Sequence, residues 1–289
     1  MTKVYKIDPK NPDESVLREV AEMIKEGKLV AYPTETVYGL GTNALDENAV
    51  KRLFEVKGRP KKPVSVVVSD LDHVERIAEP NETALKLMEK FFPGPITVIV
   101  KKKKIIPPIV TAGTDKIGIR MPDYKIPLKL AEFSGVPVTS TSANVSGKPS
   151  PTKPEHVIED FMGKIDAILD AGETPLKIES TVVDTTTEPP KVLRVGALPL
   201  DKIKKVVGEL EVLDYRAYKP KAKVVAVFKG DVEEVASRFE GKVCVVREVE
   251  DLMDVLRRCK DCDVIVFECV DLSEAVRARI MSIADVIYD

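Results

Sequence analysis

The chain has no tryptophan and no glutamine, and only two histidines among its 289 residues. His73 and His156 fall in helical or helix-start contexts, away from other metal-ligand types, so both read as structural or exposed rather than catalytic. A nucleophile-elbow sequence, a P-loop and an HExxH pair are also missing. Hydrolase chemistry of those kinds is therefore not the expectation. No apolar run approaches the length of a membrane span, and the first residues lack the basic, apolar and small-residue order of a signal peptide. A cytoplasmic protein without a membrane partner is expected. A net charge of -2 rules out whole-molecule attraction to nucleic acid, so any such affinity must come from local patches.

What is present is 44% hydrophobic residues, enough for real cores, and 32% charged residues, a pattern like the ion-paired surface of a thermophile protein. The second feature speaks to stability, not to chemistry. The length suits one large domain and one small one.

The most informative stretch is 29–63. It opens as a hydrophobic strand at 29–32, halted by Pro33, which has no amide proton for a sheet ladder. Thr34, Glu35 and Thr36 put polar groups at the strand's end, and Gly39 and Gly41 permit close approach of backbone. Asp46 is placed to cap a helix with Ala49, Val50, Leu53 and Phe54 on one face. That helix runs out into Lys57, Gly58, Arg59, Pro60, Lys61 and Lys62. Ligands of open α/β sheets sit beyond the carboxyl ends of strands, so a polar turn and a basic loop together suggest an anion, a phosphate in particular. The same loop also suits a solvated basic turn, where cations favour a helix C-terminus.

Strands and helices alternate to about residue 207. The spacing predicts helices from Asp13 or Ser15 to Gly27, from Asp46, from Asp70, from Asn81 with Leu85, Met88 and Phe92 inward, over 127–134, from Thr152, and over 199–207. Strands are expected at 64–68, 96–100, 113–120, 136–139, 167–169, 181–184 and 191–195. A polar loop is expected from Ser140 to Ser150. The fold class is α/β: a twisted, mixed, open sheet with helices over 1–207, a linker over 208–222, and a smaller Rossmann-like α/β domain over 223–289 with strands at 224–228, 243–246 and 264–267.

Arg120 and Arg194 end predicted strands, and the loop at Ser142, Ala143 and Asn144 supplies hydroxyl and amide groups; together these make an anion cradle, although a surface ion pair is the commoner fate of such an arginine. The run 101–104, all lysine, reads as a solvated strand exit. All four cysteines fall in the small domain. Cys244 and Cys269 read as small hydrophobes in or beside strands, while the Cys259-Lys260-Asp261-Cys262 spacing leaves open a zinc site or a local disulfide.

Six ordered motifs carry a resemblance: PTETVYGLG at 33–41, KGRP at 57–60, GIRMP at 118–122, TSANVSGKPSPT at 141–152, STVVD at 180–184 and LRVGAL at 193–198. In this order they resemble the YrdC-like family, specifically its two-domain branch of threonylcarbamoyl-adenylate synthases. The resemblance implies synthesis of threonylcarbamoyl-AMP and pyrophosphate from L-threonine, bicarbonate or carbon dioxide, and ATP with Mg²⁺. The product would feed threonylcarbamoyladenosine formation in tRNAs reading codons that begin with A, completed by a downstream transferase complex, with tRNA contact expected. Matched motif by motif, the resemblance implies that Lys57, Arg59 and Arg194 are catalytic. It also implies that Lys57, Arg59, Lys116, Ser142, Asn144, Ser150, Arg194 and Tyr218 hold ATP, Tyr218 as part of a lid. By the same match Thr36, Arg120, Ser140, Thr141 and Ser180 hold threonine, Arg120 on the carboxylate. The chain departs from the family where Lys61, Lys62, Pro63 and Ser65 or Val66 replace an Asn-Pro pair and a histidine, where the linker lacks a Ser-Pro-Gly-Met lead-in, and where the small domain is shorter. Two rival readings are a carbamoyl-adenylate-forming relative of hydrogenase maturation and a non-catalytic RNA-binding module using the basic runs 57–62 and 101–104.

Overall fold

The computed structural model describes residues 1–58, 62–213 and 219–289. Contacts divide the chain into two compact units: one runs to Ser146 and resumes at Ser150, and the other takes Gly147–Pro149 and the described residues from Lys219 onward.

In the first unit the elements follow as β1 (Lys3–Lys6), α1 (Glu14–Lys25), β2 (Val30–Tyr32), β3 (Gly39–Gly41), α2 (Glu47–Lys57), β4 (Ser65–Val67), α3 (Leu71–Ile77), β5 (Ala78–Glu79) and α4 (Glu82–Phe91). They continue as β6 (Ile96–Lys102), β7 (Lys116–Arg120), α5 (Lys125–Ser134), β8 (Val138–Ser142), α6 (Pro154–Phe161), β9 (Ala167–Asp170), β10 (Thr181–Asp184), β11 (Lys191–Arg194), α7 (Leu200–Val207) and β12 (Glu211–Val212). The strands form one 12-stranded sheet in the order β1-β9-β2-β3-β8-β4-β7-β6-β10-β11-β12, with β5 beside β6. The sheet is mixed: β4 with β7 and β6 with β10 run parallel, while β2 with β3, β8 with β4 and β6 with β7 run antiparallel.

Local chemistry explains most boundaries. Asp13, Asp46, Asp70 and Asn81 each accept a backbone N–H in the first turn of the helix that follows, as N-caps do. Gly58 and Gly135 end α2 and α5 in the left-handed conformation. A core of Leu17, Val20, Ala21 and Ile24 from α1 and Ile126, Leu130 and Ala131 from α5 packs against Val30, Tyr32, Val67 and Val138 of the sheet.

Several expectations need correction. The segment Gly39–Gly41 is a strand, because a Cβ at Gly41 would lie 2.6 Å from the Tyr32 ring and 2.9 Å from Thr139 O, so only glycine lets the strand lie under that ring. Strand β8 runs on through Ser142, so Ser140, Thr141 and Ser142 are strand residues rather than loop. Leu85 is exposed, because the buried face of α4 is Ala84, Leu87 and Met88. Thr152 does not cap α6; Lys153 occupies the cap position without a side-chain capping bond to the helix, and the Thr152 N–H donates to His156 Nδ1 at 3.2 Å.

The second unit holds β13 (Lys223–Val227), α8 (Val232–Ala236), β14 (Val243–Val246), α9 (Leu252–Arg258), β15 (Val264–Glu268), α10 (Glu274–Ile283) and β16 (Val286–Tyr288). Its four strands are all parallel, in the order β14-β15-β13-β16, with the last strand absent from the sequence reading. Cys244 on β14 is joined to Cys259 by a disulfide, so Cys244 is not merely a small hydrophobe and Cys259 does not pair with Cys262. Cys269 stays free and buried, its thiol pKa raised by that burial.

Candidate functional site

Side chains alternate across a strand, so Lys116, Gly118 and Arg120 of β7 share one face of the sheet. Neighbouring strands bring small and polar residues alongside them. A Cβ at Gly118 would sit 2.6 Å from Ser65 Oγ and 3.1 Å from Thr97 Cγ2, so the glycine lets those two side chains close in over the strand. Ser65 pairs with Ser140 across β4 and β8, and Thr97 lies abreast of Val182 and Arg194 across β6, β10 and β11. Thr97 Oγ1 and Ser180 Oγ are 2.9 Å apart. The Arg194 guanidinium closes the row with two bonds to one residue, Nε to Ser180 O at 2.9 Å and Nη2 to Ser180 Oγ at 3.0 Å. Gly196 makes that fit possible, since a Cβ there would lie 2.3 Å from Glu179 O.

Arg120 is 7% exposed. Its Nη2 donates to Thr36 Oγ1 at 3.0 Å and lies 3.3 Å from Glu35 Oε1. Its Nε and the second oxygen of Glu35 have no partner, although both are buried. Burying an ion pair with spare donor and acceptor atoms is costly unless something fills them, so this corner is suited to a small zwitterion or carboxylate. Thr34 and Thr36 hydroxyls are 2.9 Å apart, and Tyr32 OH donates to Thr139 O beside Ser140. Burial pushes the Tyr32 phenol up to about 12, an effect that Ser140 and Arg120 partly offset.

Lys57 is 2% exposed at the end of α2. Its Nζ donates to Ser142 O and to Asn144 O, the latter at 2.8 Å. Further backbone bonds pin the segment after β8: Ala143 N to Tyr38 O at 2.8 Å, Ser146 N to Lys57 O at 2.8 Å, and Val145 N to Asp160 Oδ2 at 3.1 Å. The expected polar loop is thus a fixed shelf over a buried cation. Gly39 pairs with Ser142 and Leu40 with Thr141, which holds the half-buried Thr141 and Ser142 beside β3.

Two expected residues are engaged by carboxylates. Lys116 Nζ lies 2.9 Å from Asp184 Oδ2, and Ser150 Oγ donates to Glu179 Oε1 at 2.9 Å. Burial works to raise the Asp184 pKa, but bonds from Thr186 and Lys116 hold it below the usual range. Arg59 and Tyr218 lie outside the described residues. The sequence reading missed Ser65, Thr97, Glu179 and Asp184 as members of this group. Glu179 and Asp184 flank or end the STVVD motif and could have been read from it, and Ser65 was one of two positions matched to the family's histidine, whereas nothing in the sequence marks Thr97.

A mixed α/β sheet that gathers guanidinium forks, hydroxyls and glycines on one face defines a protein built to hold small anions. Comparison with known proteins supplies the family. The Sua5_yciO_yrdC family, described as telomere recombination, matches residues 22–196. A threonylcarbamoyl-AMP synthase of Pyrococcus abyssi is 45% identical over 254 residues, covering 82% of this chain and 74% of that protein. One of Bacillus subtilis is 42% identical over 208 residues, covering 71% of this chain and 60% of that protein. The crystal structure of P. abyssi Sua5 complexed with L-threonine superimposes with a TM-score of 0.92 at 38% identity, covering 100% of both chains. The chain belongs to the Sua5/YciO/YrdC family.

Proposed function

We propose that this chain is a threonylcarbamoyl-AMP synthase, forming threonylcarbamoyl-adenylate and pyrophosphate from L-threonine, bicarbonate or carbon dioxide, and ATP. The observation that carries the reading is the Arg120 corner, where a buried guanidinium keeps an unfilled donor beside Thr36 and Glu35. A relative's structure holds L-threonine, whose carboxylate matches what that corner lacks.

Threonine binds with its carboxylate on Arg120, its hydroxyl and backbone groups meeting Thr36, Ser140, Thr141 and Ser180. Its amine takes up carbon dioxide, and a carbamate oxygen attacks the α-phosphate of ATP as pyrophosphate leaves. The protein's task is to align two anions and to neutralise charge on phosphate oxygens, so no histidine or cysteine base is required. Lys57 places its charge beneath the shelf at Ser142 and Asn144, and Arg194 faces the nucleotide from the far end of the row. Lys116, Ser150, Arg59 and Tyr218 complete the nucleotide contacts, with Lys57, Arg59 and Arg194 acting on the phosphates. Mg²⁺ enters with ATP as part of the substrate; hard cations of this kind are commonly held by phosphate oxygens and water rather than by a protein cage. The residues 1–207 form the catalytic domain, joined by a linker at 208–222 to the small domain at 223–289.

The product passes to a tRNA-modifying transferase, and the reaction runs in the cytoplasm. No described helix is long and apolar enough to cross a membrane. The test is pyrophosphate release and adduct mass with ATP, bicarbonate and either threonine or carbamoyl phosphate. Release that needs both threonine and bicarbonate is expected. Release with carbamoyl phosphate alone, or with neither, overturns the reading.

A further inference from the structure

Three of the four cysteines converge in the small unit. The Sγ atoms of Cys244, Cys259 and Cys262 all lie within 4.8 Å of one another, and this is the single group of metal-ligand side chains at such spacing among the described residues. They reach the cluster from separate directions. Cys244 is in β14, the edge strand of the parallel sheet, where it pairs with Ile265. Cys259 caps the C-terminus of α9 and is buried. Cys262 follows one turn later, its N–H donating to Cys259 O at 3.1 Å, which folds the two sulfurs of the CxxC turn towards each other.

A disulfide needs two sulfurs, and the Cys244–Cys259 bond already uses them. The convergence of a third, Cys262, half-buried at the rim of the apolar cluster formed by Val246, Leu256 and Phe267, is unexplained by that bond. Thiolates from a strand and a CxxC turn, close together at the edge of an apolar cluster, are the donor set that selects soft cations.

We propose that Cys244, Cys259 and Cys262 form a thiolate site for one thiophilic divalent cation of the zinc type, which replaces the Cys244–Cys259 disulfide when the chain is reduced. Opening the disulfide takes an external two-electron reductant. A phosphine leaves as its oxide with oxygen from water, and two thiols remain on the chain. The cation then displaces three thiol protons, one from each cysteine, and a fourth coordination position is left for water or another small ligand. This site is independent of the proposed synthase reaction.

The experiment uses the full chain, reduced with a phosphine and desalted without air, then titrated with Co²⁺ and competed with Zn²⁺. One Co²⁺ per chain with sulfur-to-metal charge-transfer absorption, displaced by Zn²⁺, is expected. Cys262→Ser should weaken binding by more than about 100-fold, beyond the loss typical of a residue that only orients a ligand. Cys269→Ser should bind as the parent does. Should a variant fail to fold, alkylation of the parent chain followed by mass spectrometry gives a second reading. Zn²⁺ should protect Cys244, Cys259 and Cys262 together and leave Cys269 unchanged. Absence of charge-transfer absorption in the reduced chain, undiminished binding by Cys262→Ser, or alkylation indifferent to Zn²⁺ overturns the site and leaves a structural disulfide only.

Discussion

Arg120 Nη2 lies 3.3 Å from Glu35 Oε1, in a pair so buried that the arginine side chain is 9% and the glutamate side chain 7% exposed. Each partner keeps an unbonded atom, so the pair is held together more by mutual need than by complete satisfaction. Removing the cation alone leaves a lone buried carboxylate. Arg120→Leu is expected to destabilise the first unit by about 3 kcal/mol. Adding Glu35→Gln should recover at least half of that loss, while calorimetric threonine binding stays absent in both variants. Equal urea midpoints for the single and double variants would show that Glu35 is not the source of the cost.

At the other end of the row, the fork of Arg194 grips Ser180 through both its carbonyl and its hydroxyl. Lysine offers charge without the planar fork. Arg194→Lys should lower threonine-dependent pyrophosphate release by about 100-fold, the scale of removing one preorganised donor to a developing anion. The unfolding midpoint should move little, because the residue is half-buried at a strand end. Turnover within twofold of the parent would contradict the assignment.

Two glycines on the same sheet face should answer differently to alanine. At Gly41 the new methyl group would meet the Tyr32 ring, Val138 Cγ1 at 2.7 Å and Thr139 O, all fixed, so Gly41→Ala should cost about 1–3 kcal/mol of stability. At Gly118 it would press on Ser65 Oγ and Thr97 Cγ2, where the serine hydroxyl can swing away. Gly118→Ala should therefore reduce threonine and ATP affinity more than stability. Denaturant titration alongside ligand titration reads the contrast, and equal stability losses would remove the distinction.

His73 is buried in α3, and its pKa lies below 6.5 because burial and then Arg76 disfavour the charged ring, with Asp70 opposing in part. Unfolded, the ring protonates near 6.5; folded, it stays neutral to lower pH. Stability is therefore whole above that value and falls as pH drops from it towards the folded pKa. His73→Leu should flatten the slope between about pH 7.5 and pH 5.5 in urea midpoints. Carboxylates such as Asp166 act in a lower window: despite its burial, bonds from Arg52 and Leu29 N–H depress its pKa, so its contribution is lost only as pH falls below 3.8. An unchanged slope in His73→Leu would assign the acid sensitivity elsewhere.

Much of the first unit was legible because its signals are local. Asp13, Asp46, Asp70 and Asn81 announce helices whose apolar faces repeat at helical spacing. Arg120 and Arg194 were visible as cations at strand ends. What those cations touch was not visible, because Glu35, Thr97 and Ser180 reach them through sheet pairing between segments far apart in the chain. Gly39 and Gly41 carry no strand propensity of their own; Tyr32, packed across them, decides their conformation. The Cys244–Cys259 bond was hidden for the same reason, since the CxxC spacing draws attention to the wrong partner.

The parallel pairing of β10 with β6 has a consequence for synthesis on the ribosome. One edge of β6 pairs early with β7, but its other edge waits for a mate made more than eighty residues later, and Arg194 emerges later still. A nascent chain stopped short of Arg194 can hold the Arg120 corner yet lack the far wall of the cradle. Truncated products should thus be incapable of turnover however well their N-terminal helices have formed.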